Sequence, residues 1–213
     1  MLARNPHRPI FRLALVAGAI GLFLLGYYWG NAYKFRDAPP PHIEGVLLRP
    51  AAGLPTFELH DATGLPFTEK DLHGHWTLLA FANLEQARGH LAVTRMIDVY
   101  NRLADQPDLR GEVQLVVAAE AQEPALAQDF SRLSPALKVL SGKPEAVTHL
   151  RTAIGDAPQP HTAATDDVGE PFFLVDPKGR LLALFTGEEK PSAIATDLSA
   201  LAARPDLLSS EEK

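Results

Sequence analysis

The residues with the clearest potential for chemistry lie in the loop 84–90, which reads Leu-Glu-Gln-Ala-Arg-Gly-His. An apolar run at Trp76–Ala82 precedes this loop, and an amphipathic helical pattern follows from His90. A loop that leaves a buried strand and enters a helix N-terminus presents backbone N–H groups, which stabilise anions such as thiolates. The chain contains no cysteine, so disulfides, thiolate metal ligands and cysteine nucleophiles are excluded.

Histidine and carboxylate side chains offer a different chemistry, that of a hard nitrogen and oxygen metal site. His90 with Glu85 and His161 would suit Zn(II) or Cu(II), and Asp166 and Asp167 would add oxygen ligands. These residues lack the tight ligand spacing of known metal motifs. A metal site built from these side chains is therefore the alternative to a loop that binds no metal.

Other histidines and aspartates are better explained by ordinary surface and turn positions. His73 and His75 precede the apolar run, where a solvated turn is expected. Asp61 and Asp176 each begin a four-residue stretch that ends in glycine, which is typical of turns. Neither stretch continues into a calcium-binding loop pattern.

Length and composition fit one compact domain with an appendage. The chain has 213 residues, of which 46% are hydrophobic. Its formal net charge of -6, without long basic runs, argues against nucleic acid as a partner. With only 2 methionines, a methionine-rich copper relay is excluded.

Residues 13–30 are predicted to form a transmembrane anchor. The run has no charge, and about eighteen helical residues rise roughly 27 Å, close to the hydrocarbon thickness of a bilayer. Basic residues precede the run, which places residues 1–12 in the cytoplasm. This predicts a single-pass protein of a bacterial inner membrane with its C-terminal domain in the periplasm. A cleaved signal peptide is the alternative, but Tyr27–Trp29 stand where a small-residue cleavage site is needed.

The rest of the chain is predicted to be a tether at residues 31–53, a folded domain at 54–203 and a charged tail at 204–213. Strands at Trp76–Ala82 and Val113–Ala118, joined through a helix, predict a parallel right-handed unit. Further helices, a hairpin at Phe172–Phe185 and a closing helix follow. This order predicts an α/β thioredoxin-like fold, a central mixed sheet flanked by helices.

Three stretches of the domain resemble the SCO/SenC family. They are LPTFELHDATGLPFT at Leu54–Thr68, LHGHWTLLAF at Leu72–Phe81 and FFLVDPKGR at Phe172–Arg180. The family consists of membrane-anchored, thioredoxin-fold copper proteins that assist cytochrome c oxidase assembly. The resemblance implies that two copper-binding cysteines would fall on Gln86 and His90, and a copper-binding histidine on or near Val168.

An amide, an imidazole and an alkyl group do not replace two thiolates and an imidazole as ligands of soft Cu(I). Thiol–disulfide exchange needs an attacking thiolate, which this chain lacks. The prediction is therefore a non-enzymatic member with a degenerate copper site and no cofactor. It would serve as an accessory or binding module in respiratory cytochrome c oxidase assembly, with an oxidase subunit or assembly factor as partner. The alternative is a metal carrier with a rebuilt histidine and carboxylate site.

Overall fold

The computed structural model describes residues 18–26, 42–120, 124–155 and 169–204. The chain divides into two compact units, Met1–Pro40 and Pro41–Lys213. In the first unit, residues 18–26 are helical and their side chains are exposed; they are called α1. Within the described ranges, no helix is both long enough and apolar enough to cross a bilayer. The predicted anchor at 13–30 extends beyond the described residues and stays a prediction.

The second unit is built on one eight-stranded sheet. The strands are β1 (Val46–Gly53), β2 (Glu58–Asp61), β3 (Pro66–Thr68), β4 (Trp76–Ala82), β5 (Val113–Ala119), β6 (Leu137–Ser141), β7 (Phe172–Val175) and β8 (Arg180–Phe185). The helices are α2 (Ala87–Arg102), α3 (Pro107–Glu112), α4 (Pro124–Ser131), α5 (Pro144–Ala153) and α6 (Pro191–Ala202), with a 3-10 helix at Glu69–Leu72. The strand order is β1-β8-β7-β4-β5-β6-β2-β3. Strands β4, β5 and β6 are parallel, and the other neighbours are antiparallel.

Strand β4 lies near the centre of the sheet, and all of its residues are buried. Its side chains alternate between two hydrophobic cores, because successive residues of a strand point to opposite faces. Leu78 packs in the core that contains residues of α2 and α6, whereas Leu79 packs in the core that contains residues of α5. Helices therefore cover both faces, which explains the unbroken apolar run in the sequence.

Strand β1 lies inside the range 31–53 that the sequence analysis assigned to the tether. Val46–Gly53 pairs antiparallel with β8 at the edge of the sheet. An edge strand is partnered on one side and tolerates proline, so Pro50 makes this stretch look like a linker in sequence. Residues 46–53 of the predicted tether therefore belong to the sheet, and the tether before them stays a prediction.

Candidate functional site

The loop that follows β4 is held by contacts with its own backbone. The Asn83 side-chain oxygen accepts a hydrogen bond from the Glu85 N–H at 2.9 Å. The Asn83 carbonyl accepts another from the Gln86 N–H at 3.1 Å. At Gly89 a Cβ would lie 2.0 Å from that carbonyl oxygen, so only glycine lets the first turn of α2 approach the loop so closely.

Gln86 and His90, the two described positions to which the resemblance assigns cysteines, differ in how they are used. Gln86 is the exposed N-cap residue of α2, and its side chain makes no capping hydrogen bond. His90 Nε2 lies 2.7 Å from the Leu84 carbonyl oxygen, and because a carbonyl only accepts, Nε2 donates the proton. The His90 ring also meets the Phe130 ring edge-on, with centroids 5.0 Å apart. One nitrogen of this imidazole is thus engaged in a structural hydrogen bond.

Arg88, which stands between these two positions, joins α2 to the segment that leads into β7. Arg88 Nε lies 2.9 Å from Glu170 Oε1, and the two side chains are 38% and 17% exposed. The Nε–H direction does not meet hydrogen-bond geometry, so charge attraction holds this contact. Arg88 Nη2 donates a longer hydrogen bond of 3.4 Å to the Gly169 carbonyl.

Arg95 lies seven residues further along α2, about two helical turns away, and reaches the same part of the molecule. Its Nη2 donates a hydrogen bond of 2.7 Å to the Glu189 carbonyl. Its guanidinium carbon lies 4.9 Å from the centre of the Phe172 ring, within cation–π range. Burial lowers the pKa of Arg95 below its ordinary value, and the Glu189 carboxylate partly opposes this shift.

The structure brings together only part of the predicted site. Glu85 is exposed and lies in the loop beside Gln86, whereas His90 lies in the first turn of α2. Val168, His161, Asp166 and Asp167 lie outside the described residues, so the proposed ligand sets are untested at those positions. Among the residues that the structure describes, no three His, Cys, Asp or Glu side chains group as a metal site.

Sequence reasoning missed Arg88, Arg95 and Glu170. The predicted helix began at His90 and left Arg88 in the loop, whereas α2 begins at Ala87, so one face of α2 carries both arginines at a spacing of seven residues. That spacing was the available signal. Nothing in the sequence indicated that Glu170 would lie beside that face.

Both aspartates that begin glycine-ending stretches act in turns, as predicted. Asp61 Oδ1 accepts hydrogen bonds from the Thr63 N–H, the Thr63 hydroxyl and the Leu65 N–H. Burial alone would raise the pKa of Asp61, but these bonds outweigh it and lower the pKa below its ordinary value. Asp176 is fully buried and pairs with Arg180 at 2.7 Å.

The model of the SCO1/SenC family matches residues 48–203. The chain belongs to the SCO1/SenC family. Among curated proteins, none matches this sequence.

Solved structures of Sco proteins share the fold. Apo Sco1 from Thermus thermophilus is 21% identical with a TM-score of 0.60, over 75% of this chain and 97% of that chain. Copper-bound ScoI from Bradyrhizobium japonicum is 22% identical with a TM-score of 0.53, over 70% and 98%. BsSco, described as a member of the Sco family of cytochrome c oxidase assembly proteins, is 15% identical with a TM-score of 0.59, over 76% and 98%. The predicted thioredoxin-like α/β fold is confirmed.

The residues at the two described positions to which the resemblance assigns cysteines do not fit Cu(I). An exposed amide at Gln86 and a hydrogen-bonded imidazole at His90 provide no soft sulfur donor. Arg88 places a guanidinium in the same turn of helix, and a cation disfavours a second cation nearby. These side chains therefore do not supply the soft donor set that Cu(I) prefers.

Proposed function

We propose that this chain is a non-catalytic binding module of respiratory cytochrome c oxidase assembly, held at a bacterial inner membrane with its folded domain in the periplasm. It contacts a protein partner, an oxidase subunit or an assembly factor, and does not carry copper. Family membership over residues 48–203 supports the process. The uncharged run at 13–30 and its basic flank support the location.

One observation carries the proposal. The family fold is retained, whereas the loop after β4 offers neither sulfur nor a free histidine Nε2, since His90 donates that proton to Leu84. A protein that keeps the fold without this chemistry can still present a surface to a partner. Enzymatic thiol exchange is excluded by the same absence of cysteine.

A competition titration of the full-length protein in detergent against a chromophoric Cu(I) chelator tests the absence of copper carriage. We expect binding no tighter than that of a generic histidine-containing protein, unchanged in His90→Ala. His75→Ala is the matched control, because His75 is also exposed but lies before β4. Tight stoichiometric binding that His90→Ala abolishes and His75→Ala keeps would refute the proposal. It would establish the metal carrier, with Glu85 and His161 as the next ligands to substitute.

Restoring the family ligands provides a gain-of-function test. The triple variant Gln86→Cys, His90→Cys and Val168→His should bind Cu(I) in the same titration, because it supplies two thiolates and an imidazole. The double variant without the Val168 change separates the contribution of the two thiolates. No gain in either variant would contradict the assignment of the ligand positions.

Co-purification tests the partner and the location together. We expect the full-length chain to remain in carbonate-washed membranes and to bring down an oxidase subunit or a known oxidase assembly factor. Release of the chain by carbonate would contradict the anchor. Recovery from membranes without any oxidase-related protein, under conditions that retain a known Sco partner complex, would contradict the proposed process.

A further inference from the structure

We propose that Arg88, Arg95, Gly169 and Glu170 form a charge clamp that fixes the segment entering β7 against α2 without any metal. The four residues come from two parts of the chain that are far apart in sequence, and the fold brings them together near the loop that follows β4. The consequence for partner binding rests on the proposed function: the clamp keeps one surface permanently assembled, independent of copper and of redox state.

The first half of the clamp is the contact between Arg88 and the two residues 169 and 170. The guanidinium meets the Glu170 carboxylate at 2.9 Å and the Gly169 carbonyl at 3.4 Å. Glu170 is the less exposed partner at 17%, so water screens the pair less than it would a pair on the open surface. The Arg88 side chain thus contacts both residues, Glu170 through its charge and Gly169 through its carbonyl.

The second half is Arg95, which packs directly on Gly169. A Cβ at Gly169 would lie 2.0 Å from Arg95 Nη1, so the arginine occupies the space that a side chain there would need. The same guanidinium donates to the Glu189 carbonyl and lies over the Phe172 ring. Arg95 therefore ties the segment entering β7 and the loop after β8 to the same helix.

The third contact of the segment entering β7 is between the backbones of Gly169 and Gly187. Gly187 has a φ of +99°, and a Cβ there would lie 2.2 Å from the Gly169 carbonyl oxygen. Two backbone segments therefore touch at a point that no larger residue would permit. The segment entering β7 is enclosed by α2 on one side and by the loop after β8 on another.

Local charge balance favours a clamp over an anion-binding site. The Arg88 guanidinium faces the Glu170 carboxylate, so an incoming anion would have to displace a partner that is part of the chain. The Arg95 charge is placed against a ring and a carbonyl. Both cations thus have partners within the protein.

Hydrogen exchange measured by mass spectrometry on the full-length protein in detergent tests the clamp. The variants are Arg88→Met, Glu170→Gln and the combination of the two. We expect each single variant to speed exchange in the peptide 169–172 by about five-fold, which corresponds to about 1 kcal/mol for one partly buried ion pair. The exchange is read at the Glu170 and Phe172 N–H groups, because Pro171 has none. The double variant should exchange no faster than the faster single variant, because both changes break the same contact.

The matched control is the ion pair between Arg102 and Asp98, which also lies on α2 but is 46% and 45% exposed and does not reach residue 169. Arg102→Met should leave exchange in the peptide 169–172 within a factor of two of the wild type. Arg88→Lys keeps the charge and most of the stem, so it should give an intermediate rate and serves if Arg88→Met does not fold. In every variant, unchanged exchange in β4 and β5 shows that an effect is local.

Two changes of solution, higher ionic strength and added Cu(I), test the clamp independently of the variants. Raising the ionic strength from 0.05 to 1 M should speed exchange of the wild-type peptide toward the Arg88→Met rate and leave that variant unchanged, because salt screens a partly exposed ion pair. Cu(I) supplied as a chelate should leave the wild-type rate unchanged.

Additive effects of Arg88→Met and Glu170→Gln, an equal effect of Arg102→Met, or slower exchange on Cu(I) addition would each overturn the clamp. Failure of the proposed function would instead appear as tight Cu(I) binding in the titration or absence of an oxidase-related partner. Neither result depends on coupling between Arg88 and Glu170, so the two failures are distinguishable.

Discussion

Asp197 provides the sharpest test of how the residues before β1 are attached to the rest of the folded domain. This residue of α6 is 5% exposed. Its Oδ2 accepts hydrogen bonds from the Glu44 N–H at 2.8 Å and the Gly45 N–H at 3.2 Å. One buried carboxylate on the last helix therefore holds the residues just before β1.

We expect Asp197→Ala to lower the free energy of unfolding by about 1–3 kcal/mol. A hydrogen bond to a charged acceptor contributes about 1.5–3 kcal/mol, and leaving a buried donor unpaired costs about the same. Glu44 is exposed, so water restores part of the loss and the two bonds do not add in full. For a chain of this size the loss corresponds to a fall of roughly 2–12 °C in Tm.

The assay is thermal unfolding of the full-length protein in detergent, followed by near-ultraviolet circular dichroism. Asp98→Ala is the matched control, because Asp98 is a 45% exposed helical carboxylate in a surface ion pair and should cost less than about 0.5 kcal/mol. Asp197→Asn keeps one oxygen acceptor and should fall between the two. If Asp197→Ala cost no more than Asp98→Ala, the carboxylate would not hold the entry to β1 and the reasoning would be refuted.

Two further predictions separate core from loop and turn. Leu79→Ala should cost about 2–5 kcal/mol in urea unfolding, because Leu79 is 3% exposed in the core of β4, whereas Gln86→Ala should change stability by less than about 0.5 kcal/mol. Equal losses of stability in Leu79→Ala and Gln86→Ala would show that Leu79 is not a core residue or that Gln86 is not an exposed loop residue. Asp61 has a lowered pKa, so its stabilising contribution is present above the unfolded pKa, about 3.9, and is lost as the pH falls through the folded value. The Tm difference between wild type and Asp61→Asn should therefore shrink from pH 7 to pH 3, and a constant difference would contradict the role of its hydrogen bonds.

Local sequence was sufficient for the centre of the fold. The apolar run at Trp76–Ala82 became β4, and Val113–Ala118 became all but the last residue of β5. Such runs are reliable because a strand covered on both faces needs apolar residues at every position. The hairpin around Asp176 was equally clear, since its turn is specified by neighbouring residues.

Edge strand β1 was missed for the opposite reason. Val46–Gly53 has a partner on one side, contains a proline, and depends on β8, more than a hundred residues later, for its pairing. Asp197, which holds the residues before β1, likewise acts across 153 positions of sequence. Local periodicity carries no information about such distant partners.

By itself, the sequence determined what chemistry this loop cannot perform, because the absence of cysteine holds whatever the fold. It also pointed to the thioredoxin-like order of strands and helices. Only the tertiary structure decided that an ion pair lies near this loop. Arg88 and Glu170 are 82 positions apart in the sequence and became a pair because α2 and the entry to β7 lie side by side. An ion pair depends on the distance between two charges, and only the folded chain sets that distance.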